Sequence, residues 1–183
     1  MIVRYKPDTN KLTKATEFSA CYDVSARIKV DDLIHGFTPQ NKKMVREGRK
    51  SCNINAPDES FIHIGPYERF LIPTGIFLDF SDRIFDAKRY HVKIYPRSGI
   101  ATKMGMCLAN CTGIIDADYS NELFVPLINM SNSGFVLTDG MRIAQLEVVR
   151  NDYNTFTESN VPFTQESLAP LTTRKGGFGS TGE

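Results

Sequence analysis

With 183 residues, 41% of them apolar, the chain is long enough for one domain with a real hydrophobic core and too apolar for a disordered one. Twenty-two basic residues against 21 acidic ones leave a net charge of +1, so composition indicates neither a broad basic surface for nucleic acid nor an acidic, solvating chain. No apolar run approaches the ~20 residues of a membrane span, and the start, MIVRYKPDTNK, has no apolar stretch of signal-peptide length, so the expectation is a soluble intracellular protein with no membrane or nucleic-acid partner.

Strand signals dominate. Runs rich in Val, Ile, Phe and Tyr between Gly, Pro, Asn and Asp clusters predict strands over Ile2–Tyr5, Cys21–Ile28, Phe61–Ile64, Arg69–Leu78, His91–Tyr95, Met106–Ile115, Glu122–Asn129 and Arg142–Val149. Helical periodicity is nearly absent, and the best candidate is a turn or two within Asn41–Lys50. Many short strands without a helical layer imply an all-β sandwich, jelly roll or barrel. Two segments interrupt the pattern. Residues 31–60 are polar and irregular, with Lys42, Lys43, Arg46, Arg49 and Lys50 against Glu47 alone over Asn41–Lys50, and read as an inserted loop, either solvated or a protein-interaction surface. Residues 151–174, with Pro162 and Pro170, read as an extended arm. The division expected is a β domain over 1–150 and an arm with a glycine-rich end over 151–183.

Cysteine chemistry is not indicated. Cys21, Cys52, Cys107 and Cys111 form no pair with the two-residue gap of a zinc or redox motif. Cys107 and Cys111, four apart, would share one face of a strand as small buried residues. His35, His63 and His91 are scattered.

Four runs carry chemistry. In YPRSGIA a strand ends at Pro96 and offers Arg97, Ser98 and the Gly99 amide in a tight turn, a grouping suited to phosphate. In LANCTGIIDADYSNELFVPLIN, Asp116 and Asp118 sit two apart, so on extended backbone they share a face, and a carboxylate beside a phosphate site can act as general base for water. GMRIAQL is strand-like, with Arg142 and Gln145 as its polar members. The tail surrounds Phe178 with Gly176, Gly177, Gly179 and Gly182, beside Ser180 and Thr181. Glycines let backbone amides approach phosphate oxygens, hydroxyls add donors, and a lone aromatic can lie on a base.

Taken in order, SACYDVSA, YPRSGIA, NCTGIIDADY, DGMRIAQL and GGFGSTG resemble the five motifs of the trimeric dUTPase family. That resemblance implies a jelly-roll-like dUTPase fold assembled as a homotrimer, with sites between subunits and a C-terminal tail that orders on binding. It implies hydrolysis of dUTP to dUMP and pyrophosphate by water attack at the α-phosphorus, which keeps uracil out of DNA and supplies dUMP for thymidylate synthesis, in the cytoplasm or, in a eukaryotic or viral setting, the nucleus.

Under it, Asp116 holds and activates the water. Asn110 helps hold uracil and the water, and the hairpin backbone from Gly113 through Ile115 to Asp118 pairs with the uracil edge. Tyr119 packs under the deoxyribose and excludes a 2′-hydroxyl. Arg97, Ser98, Gly99 and Gln145 hold the phosphates, while Asp23 and Arg142 brace the site from behind. Phe178 stacks on uracil with Gly179 beside it, and Ser180 and Thr181 bind the γ-phosphate together with Arg174. Mg²⁺ is held by the phosphates and water, with no direct protein ligand.

The chain departs from the family pattern in four places, one being a much longer stretch between Asp23 and Pro96, which holds the polar insert. Cys21 replaces the usual glycine of the first motif. Asn121 stands where a glycine usually follows Tyr119, and a left-handed turn there would suit Asn. Arg174 stands four residues before Phe178 rather than five, leaving Arg174 and Lys175 both open as the γ-phosphate contact. Two other readings remain: a dCTP deaminase of the same fold, which needs a glutamate base where this chain has Asp116, and a non-catalytic binding protein acting through the insert.

Overall fold

The computed structural model describes residues 1–51, 59–80 and 89–151. Fourteen elements follow one another there: β1 (Ile2–Tyr5), β2 (Tyr22–Ser25), β3 (Leu33–Phe37), β4 (Lys43–Glu47), β5 (Arg49–Lys50), β6 (Ser60–Ile64), β7 (Arg69–Asp79), β8 (Tyr90–Pro96), α1 (Ser98–Met104), β9 (Met106–Leu108), β10 (Gly113–Ile115), β11 (Glu122–Asn129), β12 (Phe135–Thr138) and β13 (Arg142–Arg150).

They form three antiparallel sheets. The six-stranded sheet runs β4-β3-β7-β11-β9, with β1 also paired to β7; the second runs β10-β8-β13-β2, and the third β12-β6-β5. The eleven-residue β7 is the spine. It pairs β11 along one edge, and on the other it takes β1 at its end and β3 at its start. Alternation does the sorting: in β7, Phe70, Ile72, Ile76 and Leu78 turn inward, and in β11 Leu123, Val125 and Leu127 do, meeting Val92, Ile94 and Leu146 of the second sheet and Ile62, Ile64 and Leu137 of the third in one core.

Four sequence expectations need correction. The described part of the irregular insert is largely strand: β3 and β4 form a hairpin with Leu33 opposite Glu47 and Phe37 opposite Lys43. The helical turn expected within Asn41–Lys50 is accordingly β4 and β5. The strand pattern is masked because the inward positions of this hairpin include Gly36 and Arg46 rather than a run of aliphatics. Arg46 is accepted there because Glu68 takes its guanidinium at 2.9 Å and Phe70 lies under it at 6.0 Å. Second, the expected turn at Arg97–Gly99 opens a seven-residue helix, stopped by Gly105 at φ +68°, whose amide caps Ala101 and Ile100. Third, the single strand expected over Met106–Ile115 is broken into β9 and β10. Cys111 lies in the break at φ +62°, exposed, so Cys107 and Cys111 are not two buried residues of one strand face. Fourth, β12 has no counterpart among the expected strands.

Two glycines in this frame are dictated by geometry. A side chain at Gly36 would sit 2.5 Å from the Arg69 carbonyl oxygen and from the Phe70 ring, so only glycine lets β3 close on β7. Gly75 has φ +71°, and a Cβ there would meet the Thr9 hydroxyl at 2.2 Å.

Candidate active site

Strand order in the second sheet brings the first group of site residues together. β13 lies between β8 and β2, with Gln145 opposite Tyr95 on one side and opposite Asp23 on the other. Arg97 follows directly on β8. Its Nε donates to Asp23 Oδ1 at 2.8 Å and its Nη1 to the Arg142 carbonyl oxygen at 3.2 Å, while Arg142 Nη1 donates to Asp23 Oδ2 at 3.0 Å. One largely buried carboxylate thus aims two guanidinium groups. Partly exposed pairs of this kind add only ~0–1 kcal/mol each to stability, so their main consequence is positional. Gln145 Nε2 donates to the Pro96 carbonyl oxygen at 2.9 Å, which fixes the end of β8 just before Arg97. Arg97 is the N-cap of α1 with extended backbone and no side-chain cap bond. The first amides of α1, on Ser98 and Gly99, therefore have no intrahelical acceptor and are exposed, an arrangement suited to anions. Around Gly99 a Cβ would meet nothing within 4 Å.

The second group lines a different cavity, of about 470 Å³, bounded by Leu71, Asn110, Ile114, Ile115, Asp116, Asp118, Tyr119, Phe124 and Pro126. Asp116 and Asp118 both reach it, while Ala117 between them packs on the core. The Tyr119 hydroxyl donates to the Glu122 carbonyl oxygen at 2.8 Å and its amide to the Asp116 carbonyl oxygen at 3.1 Å, closing the loop on itself. Gly113 pairs with Ile94 and Ile115 with Val92, so β10 hangs on β8, whereas β11 belongs to the six-stranded sheet. Residues 116–121 therefore cross from one sheet to another rather than turning between two paired strands, a correction to the hairpin expectation. Neither Cys21 nor Asn121 has a positive φ. Both departures from the family's glycines fall where the backbone needs no glycine, and the left-handed turn expected at Asn121 is not there.

Asp23, Arg97, Arg142 and Gln145 are not among the residues that line this cavity. Ile115 stands opposite Val92 and Gly113 opposite Ile94, so Arg97 lies five and three residues further along, roughly 16 and 10 Å at the strand rise of ~3.3 Å per residue. Arg174, Phe178, Gly179, Ser180 and Thr181 lie outside the described residues.

Several residues that shape the site escaped sequence reading. Leu71, Phe124 and Pro126 form the apolar wall of the cavity; they are the outward positions of β7 and β11, visible in the alternation once each strand's inward face is known. Glu122, only 7% exposed, accepts from Lys6 Nζ at 2.5 Å and from the Gly75 amide at 2.7 Å, and so anchors the strand that ends the Asp116–Tyr119 loop. Behind Arg97, the Tyr95 hydroxyl donates to Glu147 at 2.9 Å, and that bond pushes the phenol above its ordinary range. Cys21 is pushed up by burial and then by the charge of Glu147, against an opposing pull from Lys14.

Among the described residues no three His, Cys, Asp or Glu side chains are grouped to hold a metal ion. No helix among them is long and apolar enough to cross a membrane.

A sequence model of the dUTPase family matches residues 54–182. The deoxyuridine 5′-triphosphate nucleotidohydrolase of Finegoldia magna is 35% identical over 136 residues, covering 74% of this chain and 86% of the relative. Among solved structures, a point mutant of the Staphylococcus bacteriophage 80alpha dUTPase with dUpNHpp superimposes with a TM-score of 0.66 at 16% identity, covering 100% of this chain and 98% of that one. A point mutant of the dUTPase from phage phi11 of S. aureus, described with a structural Mg(II) ion, superimposes at 0.61 and 14% identity, over 89% and 98%. The jelly-roll-like fold of these enzymes accounts for the three sheets described above. With a family match over most of its length and a relative above one-third identity, the chain belongs to the dUTPase family.

Proposed function

We propose that this protein is a dUTP diphosphatase that hydrolyses dUTP to dUMP and pyrophosphate, at sites shared between copies of the chain in a homotrimer. The observation that carries this reading is the division of the site. A nucleoside-sized cavity holds Asn110, Asp116 and Tyr119, and a separate, carboxylate-aimed pair of arginines stands beside free helix amides. Each is half of what a nucleoside triphosphate needs, and β8 holds the halves apart within one chain.

In the assembled site the uracil edge meets the backbone of Gly113–Ile115, and Tyr119, already held by the Glu122 carbonyl oxygen, packs under the deoxyribose, where a 2′-hydroxyl finds no room. Arg97, Ser98, Gly99 and Gln145 of a second copy orient the phosphates, with Asp23 and Arg142 fixing Arg97. Asp116 accepts a proton from the water that attacks the α-phosphorus; the new bond is water oxygen to α-phosphorus, and pyrophosphate leaves. Arg174, Phe178, Gly179, Ser180 and Thr181 of the tail complete the contacts to base and γ-phosphate.

The residues fit a metal delivered by the substrate. Asp116 and Asp118 both face the cavity and would repel a bare triphosphate, and the described residues offer no three-ligand cluster of their own. A divalent cation such as Mg²⁺, carried by the phosphates, would offset that repulsion and would supply Lewis-acid polarisation of the phosphate. Cys21, Cys107 and Cys111 are free thiols, in keeping with a reducing compartment such as the cytoplasm.

The test is pyrophosphate release from dUTP, dTTP, dCTP and UTP by the wild type and by Asp116→Asn. The expected result is turnover of dUTP alone, reduced at least ~10²-fold in the variant with dUTP binding retained. Ammonia released from dCTP, or full activity in Asp116→Asn, overturns the assignment.

A further inference from the structure

The β3–β4 hairpin is fixed to the body by its inner face. Ile34 is 2% exposed in the core, and Gly36 closes against the Arg69 carbonyl oxygen and the Phe70 ring. Its outer face is another matter. Leu33, His35 and Phe37 point outward on β3, opposite Glu47, Val45 and Lys43 of β4. Leu33 is 65% exposed, Val45 49% and Phe37 39%, the last covered on one side only by the Arg69 guanidinium at 5.2 Å. An outward row with two large apolar side chains is unusual for a hairpin at the edge of a sheet, where charges normally guard against association.

That face continues into the nucleotide cavity. A groove of about 300 Å³ runs between His35 and Phe37 on one side and Asn110 and Pro126 on the other, with Leu71, itself 45% exposed, on its floor. A second, of about 260 Å³, joins Leu33 and His35 to Leu71, Pro73 and Phe124, with Lys6, Arg27, Asp32 and Glu122 also lining it. Leu71, Phe124 and Pro126 are also the apolar wall of the cavity that holds Asp116. Exposed apolar side chains thus run, among charged ones, from the hairpin to the site.

What covers these side chains follows from the incompleteness of the site. The copy that brings Arg97, Ser98 and Gln145 to this chain's Asp116 must sit on the surface around the cavity, and the apolar part of that surface leads onto β3 and β4. We propose that the outward face of the β3–β4 hairpin is a subunit interface, docking against a second copy of this chain and helping to seat the copy that completes the active site. The inference rests on the shared-site reading above. It gives the insert a role in self-association rather than in binding a foreign protein.

The experiment compares wild type with Leu33→Ser/Phe37→Ser by sedimentation velocity and dUTP turnover across a dilution series. The expected result is assembly weakened at least ~10-fold, with specific activity that falls on dilution and returns at high concentration. Leu33→Lys alone, at an exposed position opposite Glu47, preserves the readout should the double variant misfold. Assembly and dilution resistance equal to wild type in variants that fold overturn the proposal.

A parallel mixture separates this from failure of the underlying reading. Asp116→Asn and Arg97→Ala are each inactive, and randomly mixed subunits regain turnover at about a quarter of the sites if each site draws on two copies. Recovery in the mixture with unimpaired hairpin variants rejects the hairpin's role alone. No recovery rejects shared sites, and the hairpin proposal with them.

Discussion

At the scale of single residues, the site depends on what each side chain is tied to. Asp23 reads as a bracing residue from its place in the first motif, and its two oxygens each take one arginine. Gly99 illustrates a position where the fold leaves room for a side chain, since a methyl group there meets nothing within 4 Å. Gly99→Ala is therefore expected to keep or slightly raise stability, by up to ~1 kcal/mol from helix propensity. The same change should raise KM for dUTP on the order of 10-fold by obstructing the phosphates; thermal melts and steady-state kinetics on one preparation check both. The cysteines give a second residue-scale outcome. Burial and Glu147 push the Cys21 thiol up, so less of it is thiolate at pH 8, while Cys111 is exposed on its turn. Iodoacetamide at pH 8 should label Cys111 before Cys21, by peptide mass spectrometry, and raising the pH should narrow the gap.

At the scale of elements, the loop carrying Asp116 and Tyr119 is held by strands far away in sequence. Glu122, which opens β11, is bound both by Lys6 just after β1 and by the Gly75 amide in the middle of β7, and the Gly75 carbonyl oxygen in turn accepts from the Lys6 amide at 2.8 Å. Gly75 holds this knot with φ +71° and the Thr9 hydroxyl against its α-carbon. Gly75→Ala is expected to lose ~1–3 kcal/mol, a fall in Tm of several degrees by calorimetry, with kcat reduced because the loop's anchor shifts. The same element-level view explains which parts of the fold are legible in the sequence. Strands such as β8 and β11 bury an alternate row of aliphatic side chains, so their residues announce them. The β3–β4 hairpin reads as a loop because Gly36 and Arg46 occupy inward positions; the first is required by the approach of β7, and the second is neutralised by Glu68, 22 residues on. Neither partner is visible locally.

At the scale of the whole molecule, β10 pairs with Val92–Ile94 of β8 while Arg97 follows the end of that strand, so the two groups of site residues take different stations along it. On the reading proposed above, function depends on assembly and on the tail. Truncation after Lys175 is expected to lower dUTP turnover at least ~10²-fold, since contacts to base and γ-phosphate that strengthen in the transition state are lost, while the oligomer measured by light scattering is unchanged. Activity that survives this cut removes the tail from the site.

The sequence by itself determined the family, the chemistry-bearing residues and the all-β character, because motifs and alternate burial are local properties of a chain. Asn110, Asp116 and Tyr119 could be named from the resemblance of the motifs to the family's, and they do share one cavity. Only the tertiary structure decided that this cavity and the Asp23–Arg97–Arg142 cluster are separate, that the Asp116 loop joins two sheets, and that the polar insert is a docked hairpin with an apolar outer face. Those facts rest on pairings between residues tens of positions apart, where register along β7 and β8, rather than any local pattern, sets what lies beside what.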